Sequence, residues 1–488
     1  MKGNRVKKIF GQKILMENIL LIHPSRKVLN KKDNLFTNES LVPSIGLASI
    51  AAFCRAKGIK SDIIDLRIGS DSIETIFDKI KKNSPQMVCI TAFTTEITMA
   101  NVIAGMIKKE FSELPVIVGG PHSSVIPKET MEEFDNFDIA VIGEGEEAVV
   151  ELLSHFTERK NTEPTSIPGI AYRKNGSVLV TAPRKPIEDL NTLPFPAWDL
   201  FNLKYYNNVL PISASRGCPY RCYFCTPNYL GNKVRTKNHK VIVEEINWLV
   251  KNFGVARIQF ADAMLGLLQN ETILMCDEII KLGLNKKIKW DCETRADNVN
   301  PLLLEKMKDA GCEWIALGVE SGNGQILKEI VRKGETKKEI QIAVKMAKKT
   351  GIKVRCFFIL GHCTETVGTI KETIDFAMKL NPDALAFGLM VPNPGSELRK
   401  LAKQKTGGLR LIHNRWEDYQ QFNYSCLELE NLSVNELKKW QAIAYFTFYL
   451  HHPLKALGLF FSSSAYNYNL NAIKKIPLML LKNMLKKQ

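Results

Sequence analysis

The sequence predicts an α/β protein in which a doubly wound parallel sheet is followed by a partial (β/α)6 TIM-like barrel and a helical C-terminal tail. Two observations predict this fold class. Short apolar strands alternate with amphipathic helices through residues 17–155, and six further strand–helix units follow within residues 211–400. The other residues form an N-terminal extension (1–16), a linker (156–210) and the tail (401–488).

The composition is that of a globular protein. Of 488 residues, 45% are hydrophobic and 24% are charged, and about three domains are expected at this length. The net charge of +16 comes mostly from lysines spread along the chain, whereas a nucleic-acid binder concentrates its charge on one face or arm. We therefore expect no nucleic-acid partner. The charge is explained by a solvated lysine-rich surface or by weak attraction to an anionic membrane or substrate.

The sequence shows no evident targeting segment. Polar residues interrupt the apolar stretch near the N-terminus, and no small-residue cleavage site follows it. No run reaches the roughly 18 apolar residues of a membrane span. A cytoplasmic location is predicted, and peripheral contact with a membrane stays open.

The first domain is predicted from five short strands and the helices between them. The strands lie near residues 19–22, 63–66, 87–91, 116–118 and 139–142. Helices are predicted at 46–57, which is followed by Gly58 as a terminating glycine, and at 97–111. Because open parallel sheets bind ligands at the carboxyl ends of their strands, the loops at that edge are candidate binding loops.

Two of these loops are rich in glycine. GGPHSS follows Val118 and GEGE follows Ile142, and adjacent glycines let a bulky ligand approach the backbone closely. A simple turn explains the same residues, so the loops alone leave both alternatives open.

The linker is predicted to contain a β-hairpin. Two β-like runs, GIAYR and SVLVT, flank Asn175-Gly176, a strong signal for a two-residue hairpin turn. Pro194 and Pro196 then stiffen the segment that leads into the second domain.

The second domain is predicted as six strand–helix units. Its strands lie near 212–215, 257–261, 288–292, 314–318, 353–360 and 384–389. Its helices lie near 240–252, 270–281, 301–310, 323–331 with 337–350, and 366–379. Six parallel units predict an open version of the TIM barrel, with the functional site at the carboxyl ends of the strands.

The strongest functional signal is a group of three cysteines, Cys218, Cys222 and Cys225, at the end of the first barrel strand. Thiolates at this density suit an iron–sulfur cluster, and three ligands on a four-iron cluster leave one iron open for chemistry. A zinc knuckle needs a fourth ligand, and the nearest downstream histidine, His239, is too distant for the usual spacing. Disulfides are disfavoured because the eleven cysteines are an odd number and the others are scattered singly.

The spacing CxxxCxxC, with aromatic Phe224 before the last cysteine, resembles the signature of the radical S-adenosylmethionine family. The resemblance implies a [4Fe–4S] cluster whose open iron binds the amino and carboxylate groups of S-adenosylmethionine. One electron then cleaves the sulfonium to give a 5′-deoxyadenosyl radical. An external one-electron donor such as flavodoxin or ferredoxin is implied as a partner.

The same resemblance implies contacts to S-adenosylmethionine from residues at the barrel strand ends. These residues are Phe224, Asp262, Arg295, Glu320 and Ser321. Many relatives have a second aspartate where this chain has Ala263, which leaves the role of Asp262 open. An ion pair of Arg295 with Glu293 or Asp297 is the alternative to a cofactor contact.

The loop after the fifth barrel strand departs from the family pattern. It reads GHCTET at 361–366, where relatives commonly have Gly-x-Pro-Gly-Glu-Thr. Cys363 could donate a hydrogen atom to a substrate radical, and a half-buried cysteine without a chemical role is the alternative.

The first domain resembles the cobalamin-binding domain that precedes the radical domain in one large subclass. The runs VIVGGPHSSVIPKE and DIAVIGEGEEAVVELL carry this resemblance. The DxHxxG motif, whose histidine ligates cobalt, is absent, so no motif histidine is expected to bind the metal. For His122 the alternatives are a contact with cobalamin and a hydrogen bond to the loop backbone. The residues implied as cobalamin contacts are Thr91, Phe93, Thr94, Gly119, Gly120, Pro121, His122, Gly143, Glu144, Gly145 and Glu146.

The tail is predicted to be helical, and two alternatives explain its pattern. A helix start with Ser433 as N-cap leads into an aromatic run, AIAYFTFYLHHPLKALGLFF, and the chain ends in a basic amphipathic segment. A helical cap over the barrel mouth or a helix on a membrane surface explains this pattern. Related enzymes that act on lipids or tetrapyrroles carry similar aromatic tails, so the resemblance implies an apolar small-molecule substrate.

These resemblances imply a cobalamin-dependent radical S-adenosylmethionine enzyme that methylates an unactivated carbon of a lipid- or tetrapyrrole-like substrate. Oxidative ring closure or a rearrangement without methyl transfer is the alternative within the subclass. Two other classes are an RNA- or protein-modifying methylthiotransferase and a non-enzymatic cobalamin or iron–sulfur protein. The sequence has no second cysteine cluster and no obvious RNA-binding module, and its polar barrel strand ends argue for an enzyme.

Overall fold

A computed structural model gives the structure of the chain. It describes residues 17–25, 42–68, 71–158, 162–206, 208–226, 229–422 and 425–455. The predicted N-terminal extension and the basic end of the tail lie outside the described residues.

The first domain is built on a seven-stranded sheet. Its strands are Asn18–His23 (β1), Lys60–Asp65 (β2), Met87–Thr91 (β3), Val116–Gly119 (β4), Ile139–Val141 (β5), Ile170–Lys174 (β6) and Ser177–Val180 (β7). Their order is β2-β1-β3-β4-β5-β6-β7, and the first five strands are parallel. The strand order reverses between β1 and β3, which is the point at which doubly wound sheets bind ligands.

Helices cover both faces of this sheet. They are Ile45–Ala56 (α1), Ile73–Asn83 (α2), Ile97–Glu110 (α3), Pro121–Val125 (α4), Pro127–Glu133 (α5) and Glu146–Thr157 (α6). Alternate residues of β1 point to opposite cores: Ile19 and Leu21 pack into one, and Leu20 and Ile22 into the other. This two-sided burial is typical of a doubly wound sheet, and it confirms the predicted fold of the first domain.

The predicted hairpin belongs to the first sheet. Strands β6 and β7 pair antiparallel with each other, and β6 pairs antiparallel with β5. Asn175 and Gly176 form the turn with φ angles of 47° and 76°, the left-handed values that a two-residue hairpin turn requires. The segment predicted as linker therefore extends the first sheet before the chain crosses to the second domain.

The second domain is a six-stranded parallel sheet of the partial-barrel type, as predicted. Its strands are Val209–Ile212 (β8), Arg257–Phe260 (β11), Lys289–Thr294 (β12), Cys312–Glu320 (β13), Lys353–Leu360 (β14) and Ala384–Leu389 (β15), and a short hairpin, Ser215–Arg216 (β9) with Arg235–Thr236 (β10), follows β8. The helices between them are His239–Phe253 (α7), Gln269–Lys281 (α8), Pro301–Asp309 (α9), Lys337–Lys349 (α10) and Val367–Leu380 (α11). The strand order, β15-β14-β13-β12-β11-β8, follows the chain.

Two predicted elements of this domain differ in the structure. The strand predicted at 212–215 is β8, and it ends at Ile212 because the carboxylate of Asp262 accepts hydrogen bonds from the amides of Ala214 and Ser215. The helix predicted at 323–331 is the π-helix Ile326–Val331, a geometry that often marks functional positions.

The C-terminal region packs against β15 and α11 of the barrel and against α3 of the first domain. It contains Glu397–Gln404 (α12), Leu409–Leu411 (β16), Leu427–Leu429 (β17) and Val434–His451 (α13). Ser433 caps α13 as predicted, and its side chain and that of Glu436 form a reciprocal capping box. The described part of α13 lies along the edge strand β15. The basic end of the chain, for which a cap over the barrel mouth was the alternative to a membrane contact, lies outside the described residues.

Three side chains on one face of α13 bind the free backbone groups of β15. Gln441 Nε2 donates to the Phe387 carbonyl at 2.7 Å. The Tyr445 hydroxyl accepts from the Phe387 amide at 2.9 Å, and the Tyr449 hydroxyl donates to the Leu385 carbonyl at 3.4 Å. Residues four apart lie one above the other on a helix, so this spacing matches the edge strand.

No helix in the described part of the chain is both long and apolar enough to cross a membrane. The predicted contact of the basic C-terminal segment with a membrane surface concerns residues beyond 455 and stays a prediction.

Candidate active site between the two domains

The three predicted cluster ligands lie in a loop between β9 and β10. The amide of Cys218 donates to the Gly231 carbonyl at 3.3 Å, and the amide of Cys225 donates to the Cys222 carbonyl at 3.0 Å. All eleven cysteines lie in described residues, and none forms a disulfide. Cys225 is exposed, and Cys218 and Cys222 are partly exposed, whereas the other eight cysteines are buried.

The loop requires glycine at the position before its first cysteine. Gly217 has a φ of 93°, and a Cβ atom there would lie 2.5 Å from the Lys233 carbonyl oxygen. The close approach of the two hairpin strands therefore excludes a side chain at this position.

Asp262 anchors the chain that enters the cysteine loop. Its carboxylate accepts hydrogen bonds from the amides of Ala214 and Ser215 and from the Ser215 hydroxyl. Burial raises the pKa of Asp262 to about 6, and the bonds from Ser215 oppose the shift. These bonds give Asp262 a local structural role. Its predicted contact with S-adenosylmethionine stays a prediction.

Arg295 connects the end of β12 to the cysteine loop. Its guanidinium binds Asp297 through two hydrogen bonds of 2.9 and 2.6 Å, so the predicted ion pair forms with Asp297. It also donates to the Lys333 carbonyl and stacks on the ring of Tyr220 at 3.7 Å from the centroid. Its Nη1 atom is buried and has no hydrogen-bond partner among the described residues.

Glu320 ends β13 beside a lysine that the sequence analysis did not identify. Lys333 Nζ lies 3.2 Å from Glu320 Oε1 and 3.1 Å from Glu335 Oε2. Burial raises the pKa of Glu320, and Lys333 opposes the shift. The Ser321 hydroxyl lies 3.3 Å from that of Thr373, so the fold already provides it with a partner.

The thiols of the cysteine loop are sensitive to these charges. Burial raises the pKa of Cys222 to about 11, and Lys333 is the largest influence in the opposite direction. Phe224 is partly buried, with its ring edge-on to Tyr223 at 5.8 Å and to His362 at 6.5 Å between centroids. The adenine contact predicted for Phe224 stays a prediction.

The unusual GHCTET loop is buried against the cysteine loop. His362 Nδ1 lies 3.2 Å from the Tyr223 hydroxyl, and burial lowers the pKa of His362 to about 4. Glu365 accepts hydrogen bonds from the amides of Gly361 and His362 through Oε2, and burial raises its pKa to about 8. The Cys363 thiol donates to the Gly407 carbonyl at 2.8 Å, an arrangement typical of a structural cysteine.

The carboxyl edge of the first sheet combines tight packing with open space. A Cβ atom on Gly120, which has a φ of 97°, would lie 2.8 Å from Thr91 Oγ1 and 2.9 Å from the Ala92 backbone. A Cβ atom on Gly119 would meet nothing within 4 Å. Phe93 is 49% exposed at the same edge, which is unusual for a side chain of this size.

His122 lies under a tryptophan of the C-terminal region. It is the second residue of α4, after Pro121, and its Nδ1 atom lies 3.3 Å from Thr94 Oγ1, so its partner is a side chain and not the loop backbone. Its ring meets that of Trp416 edge-on at 4.8 Å. Burial lowers the pKa of His122 to about 3, with a further contribution from Arg399. Its Nε2 atom is buried without a hydrogen-bond partner in the described structure.

The GEGE loop joins the two domains through buried ion pairs. Arg216, two residues before Cys218, binds Glu144 at 2.8 Å and Glu146 at 2.6 Å. Arg235 on the opposite hairpin strand also binds Glu144, at 3.0 Å. Both glutamates are at least 93% buried. Glu144 and Glu146 thus join the two domains. Their predicted contact with cobalamin stays a prediction.

The backbone of the GEGE loop also packs closely against the second domain. Gly143 has a φ of 82°, and a Cβ atom there would lie 3.4 Å from the carbonyl oxygen of Tyr229, which follows the three cysteines in the loop between β9 and β10. A Cβ atom on Gly145 would lie 2.9 Å from Ile50 Cδ1. The loop therefore packs closely on both sides.

The site residues fit the three implied cofactors. Three thiols in one accessible loop match the ligands of a four-iron cluster. No three His, Cys, Asp or Glu side chains of the described chain converge as on a single metal ion, and ligands that each bind a different iron of one cluster need not do so. The buried Nη1 atom of Arg295 can donate to a carboxylate, and Gly119 leaves open space at the point where a ligand would approach the backbone.

The structure also brings together residues that the sequence analysis missed. Lys333, Arg216 and Arg235 pair with predicted site residues. His23 ends β1 with its Nε2 atom 3.4 Å from Glu96 of the loop after β3, and both side chains are buried. Sequence offers one signal for such residues, a lone charged residue beside a glycine-rich or cysteine-rich loop.

Comparison with known proteins matches both domains. Residues 32–153 match the B12 binding domain family, and residues 212–377 match the Radical SAM superfamily. An uncharacterized methyltransferase of Pyrococcus horikoshii is 32% identical over 425 residues, which cover 86% of this chain and 90% of the relative. The anaerobic magnesium-protoporphyrin IX monomethyl ester cyclase of Cereibacter sphaeroides is 27% identical and covers 81% of this chain and 66% of its own length.

A solved structure shares the fold of both domains. The radical S-adenosylmethionine methyltransferase TsrM from Kitasatospora setae, solved with cobalamin and a [4Fe–4S] cluster, superposes with a TM-score of 0.74 at 17% identity. The match covers 94% of this chain and 98% of that one.

Proposed function

We propose that the chain, which belongs to the Radical SAM superfamily and carries a B12 binding domain, methylates an unactivated carbon of an apolar small molecule. These two domains make it a cobalamin-binding radical S-adenosylmethionine enzyme with a [4Fe–4S] cluster. A lipid- or tetrapyrrole-like substrate is the proposed class. The observation that carries methyl transfer is the similarity to the methyltransferase of Pyrococcus horikoshii, which extends over 90% of that protein.

The geometry of the two sheet edges supports a reaction between the domains. When bound, the cluster and S-adenosylmethionine supply hydrogen-atom abstraction, and cobalamin supplies the methyl group. The ion pairs of Arg216 with Glu144 and Glu146 hold the cysteine loop against the glycine-rich loop of the first domain. The two cofactor-binding edges are thereby kept in a fixed relation, as a reaction that uses both cofactors requires.

The barrel residues are proposed to hold S-adenosylmethionine. Arg295 offers a buried N–H without a protein partner, which suits the carboxylate of the methionine end. Lys333 and Glu320 offer one positive and one negative group within 3.2 Å of each other, which suits a zwitterionic ligand. Asp262 supports the site indirectly by fixing the entrance to the cysteine loop.

Oxidative ring closure without methyl transfer is a second candidate. It is favoured by the similarity to the magnesium-protoporphyrin cyclase of Cereibacter sphaeroides, which covers 81% of this chain. The two candidates share the radical step and differ in the fate of the methyl group. Both use an external one-electron donor, for which flavodoxin or ferredoxin is proposed.

Product analysis tests the proposal. The protein is reconstituted without oxygen with iron, sulfide and hydroxocobalamin, and is given S-adenosylmethionine with a deuterated methyl group together with a cell extract from a strain lacking the gene. Methyl transfer to an apolar substrate predicts label in the organic-soluble fraction, with both S-adenosylhomocysteine and 5′-deoxyadenosine formed. The variant with Cys218→Ala, Cys222→Ala and Cys225→Ala is the control and should form no 5′-deoxyadenosine.

Two outcomes would contradict the proposal. If a substrate is consumed and 5′-deoxyadenosine alone appears, methyl transfer is wrong and ring closure or rearrangement is supported. If the label enters only water-soluble products, the apolar substrate class is wrong.

A further inference from the structure

A buried chain of hydrogen bonds connects three parts of the barrel edge. The amide of Cys363 donates to the Tyr223 hydroxyl at 3.3 Å, and that hydroxyl lies 3.2 Å from His362 Nδ1. His362 Nε2 lies 3.4 Å from the carbonyl oxygen of Glu320. Tyr223 and His362 are 2% and 0% exposed, so water does not compete for these bonds.

The chemistry of the partners fixes the direction of each bond. A backbone carbonyl only accepts, so His362 Nε2 must carry a proton and donate to Glu320. In the neutral ring Nδ1 is then an acceptor, and the Tyr223 hydroxyl donates to it. The same hydroxyl accepts from the Cys363 amide through a lone pair. Donors and acceptors therefore match at every step of the chain.

Each end of this chain lies at a functional part of the site. Tyr223 lies between Cys222 and Phe224 in the cysteine loop. Glu320 ends β13 with a φ of 66°, a left-handed value that is uncommon for a residue other than glycine. The hydrogen bond from His362 to its carbonyl stabilises this backbone conformation, which carries the Glu320 side chain toward Lys333.

We propose that His362 is a positioning residue that fixes the cysteine loop against the end of β13, so that the cluster and the Glu320–Lys333 pair keep one relative position. His362 is suited to this role because it can accept from the loop and donate to the strand at the same time. The inference rests on the cluster bound by the cysteine loop, and not on methyl transfer.

Variants that break one bond at a time test the proposal. Tyr223→Phe removes only the hydroxyl. His362→Gln retains a donor near the Nε2 position and loses the acceptor for Tyr223, whereas His362→Asn retains an acceptor near Nδ1 and loses the donor to Glu320. Tyr445→Phe is the matched control, because it removes an equally buried hydroxyl that binds the Phe387 backbone away from the cysteine loop.

The measurements use the reconstituted protein and do not require a substrate. We expect full iron and sulfide content in all variants. The electron paramagnetic resonance spectrum of the reduced cluster with S-adenosylmethionine bound should change in Tyr223→Phe, His362→Gln and His362→Asn, and should stay unchanged in the Tyr445→Phe control. The KM for S-adenosylmethionine in its uncoupled cleavage should rise about three- to tenfold in Tyr223→Phe and in His362→Gln, which is the range for loss of one hydrogen bond. The double variant with Tyr223→Phe and His362→Gln should have a KM for S-adenosylmethionine no higher than that of either single variant, because both changes break the same hydrogen bond.

Two results would overturn the inference. One is that Tyr223→Phe and His362→Gln match the Tyr445→Phe control in both spectrum and KM. The other is that the effects of the two changes multiply in the double variant, because the residues would then act independently. The cleavage assay contains no methyl acceptor, so failure of the methylation proposal leaves this test unaffected.

Discussion

The carboxyl edges of the two parallel sheets satisfy their buried polar groups in different ways. At the first sheet, Glu144 and Glu146 are paired with arginines of the second domain, and His122 lies under Trp416 of the C-terminal region. At the barrel, Asp262, Arg295 and Glu320 find their partners within the same domain. Both edges keep a buried polar atom without a hydrogen-bond partner in the described structure, His122 Nε2 at the first sheet and Arg295 Nη1 at the barrel.

This difference indicates a division of labour between the edges. Buried charges that depend on another domain bring the two domains into one fixed arrangement, because separating them would leave those charges unpaired. Buried polar atoms that stay unpaired, which both edges have, are suited to a ligand. The first edge thus holds the domains together as well as offering space to a cofactor, whereas the barrel edge pairs its charged side chains within its own domain.

Removing the three cysteines of the barrel edge should have the largest effect, because it should abolish cluster binding at this edge and leave the first edge unchanged. The variant with Cys218→Ala, Cys222→Ala and Cys225→Ala should bind no cluster after reconstitution, because no other described side chains can replace the three thiols. Its hydroxocobalamin affinity and its free energy of unfolding without cofactors should stay close to those of the unaltered protein. Absorption spectra, cobalamin titration and urea denaturation measure the three properties. Loss of cobalamin binding in this variant would break the comparison.

Removing Arg216 should have the next largest effect. Arg216→Met leaves Glu146 buried without its arginine, and we expect the free energy of unfolding in urea to fall by about 3–5 kcal/mol. Arg55→Ala is the matched control, since the pair of Arg55 with Asp199 is about half exposed and should contribute about 0–1 kcal/mol. Equal effects of the two changes would show that the interdomain pairs do not stabilise the arrangement.

Two adjacent glycines at the first edge, Gly119 and Gly120, allow the effect of a side chain on cofactor binding to be distinguished from its effect on packing. Gly120→Ala places a Cβ against the backbone of Ala92 at a φ of 97°, and we expect a loss of about 1–3 kcal/mol of stability. Gly119→Ala meets nothing within 4 Å, so it should leave the unfolding midpoint unchanged and weaken hydroxocobalamin binding. If Gly119→Ala binds hydroxocobalamin as tightly as the unaltered protein, the cofactor does not fill this space.

The last prediction concerns a buried carboxyl of β12, Asp291, whose Oδ1 atom has no hydrogen-bond partner in the described structure and whose effect on stability is small within any one pH unit. Burial raises the pKa of Asp291 to about 7, and Arg355 opposes the shift. Between about pH 4 and pH 7 the unfolded chain releases this proton while the folded chain retains it, so the contribution of Asp291 to stability falls as pH rises. Asp291→Asn removes this dependence. Its free energy of unfolding should gain on that of the unaltered protein by at most about 1.4 kcal/mol per pH unit in this window.

Urea denaturation at several pH values measures this difference. Parallel stability curves for the two proteins would show that Asp291 titrates as an ordinary carboxyl, and that the barrel interior is better solvated than its burial indicates.

The regular part of the fold could be predicted because its signal is local. The strands β14 and β15 were predicted with their observed bounds, since apolar runs bounded by polar turns carry the information themselves. The first strand of the barrel was misplaced because its end is set by Asp262, about 50 residues later in the chain. The hairpin turn at Asn175 and Gly176 was found, but its pairing with β5 depends on a partner far away in sequence.

The site could be predicted only where the residues themselves carry the chemistry. The spacing of the three cysteines is a direct signature, and it led to the family. Lys333 and Arg216 act through partners at 13 and 70–72 residues' separation, so a local pattern can mark them as candidates but cannot show which residues they pair with. His362 attracted notice only as a departure from the family pattern, and its partner Tyr223 lies 139 residues earlier.

The contact of α13 with β15 has a consequence for how the protein behaves in solution. An uncovered edge strand presents a row of unused amides and carbonyls, which can recruit a strand from another molecule and start aggregation. Gln441, Tyr445 and Tyr449 occupy these groups on β15, so a chain truncated before Val434 should self-associate, even though every cofactor-binding loop would still be present.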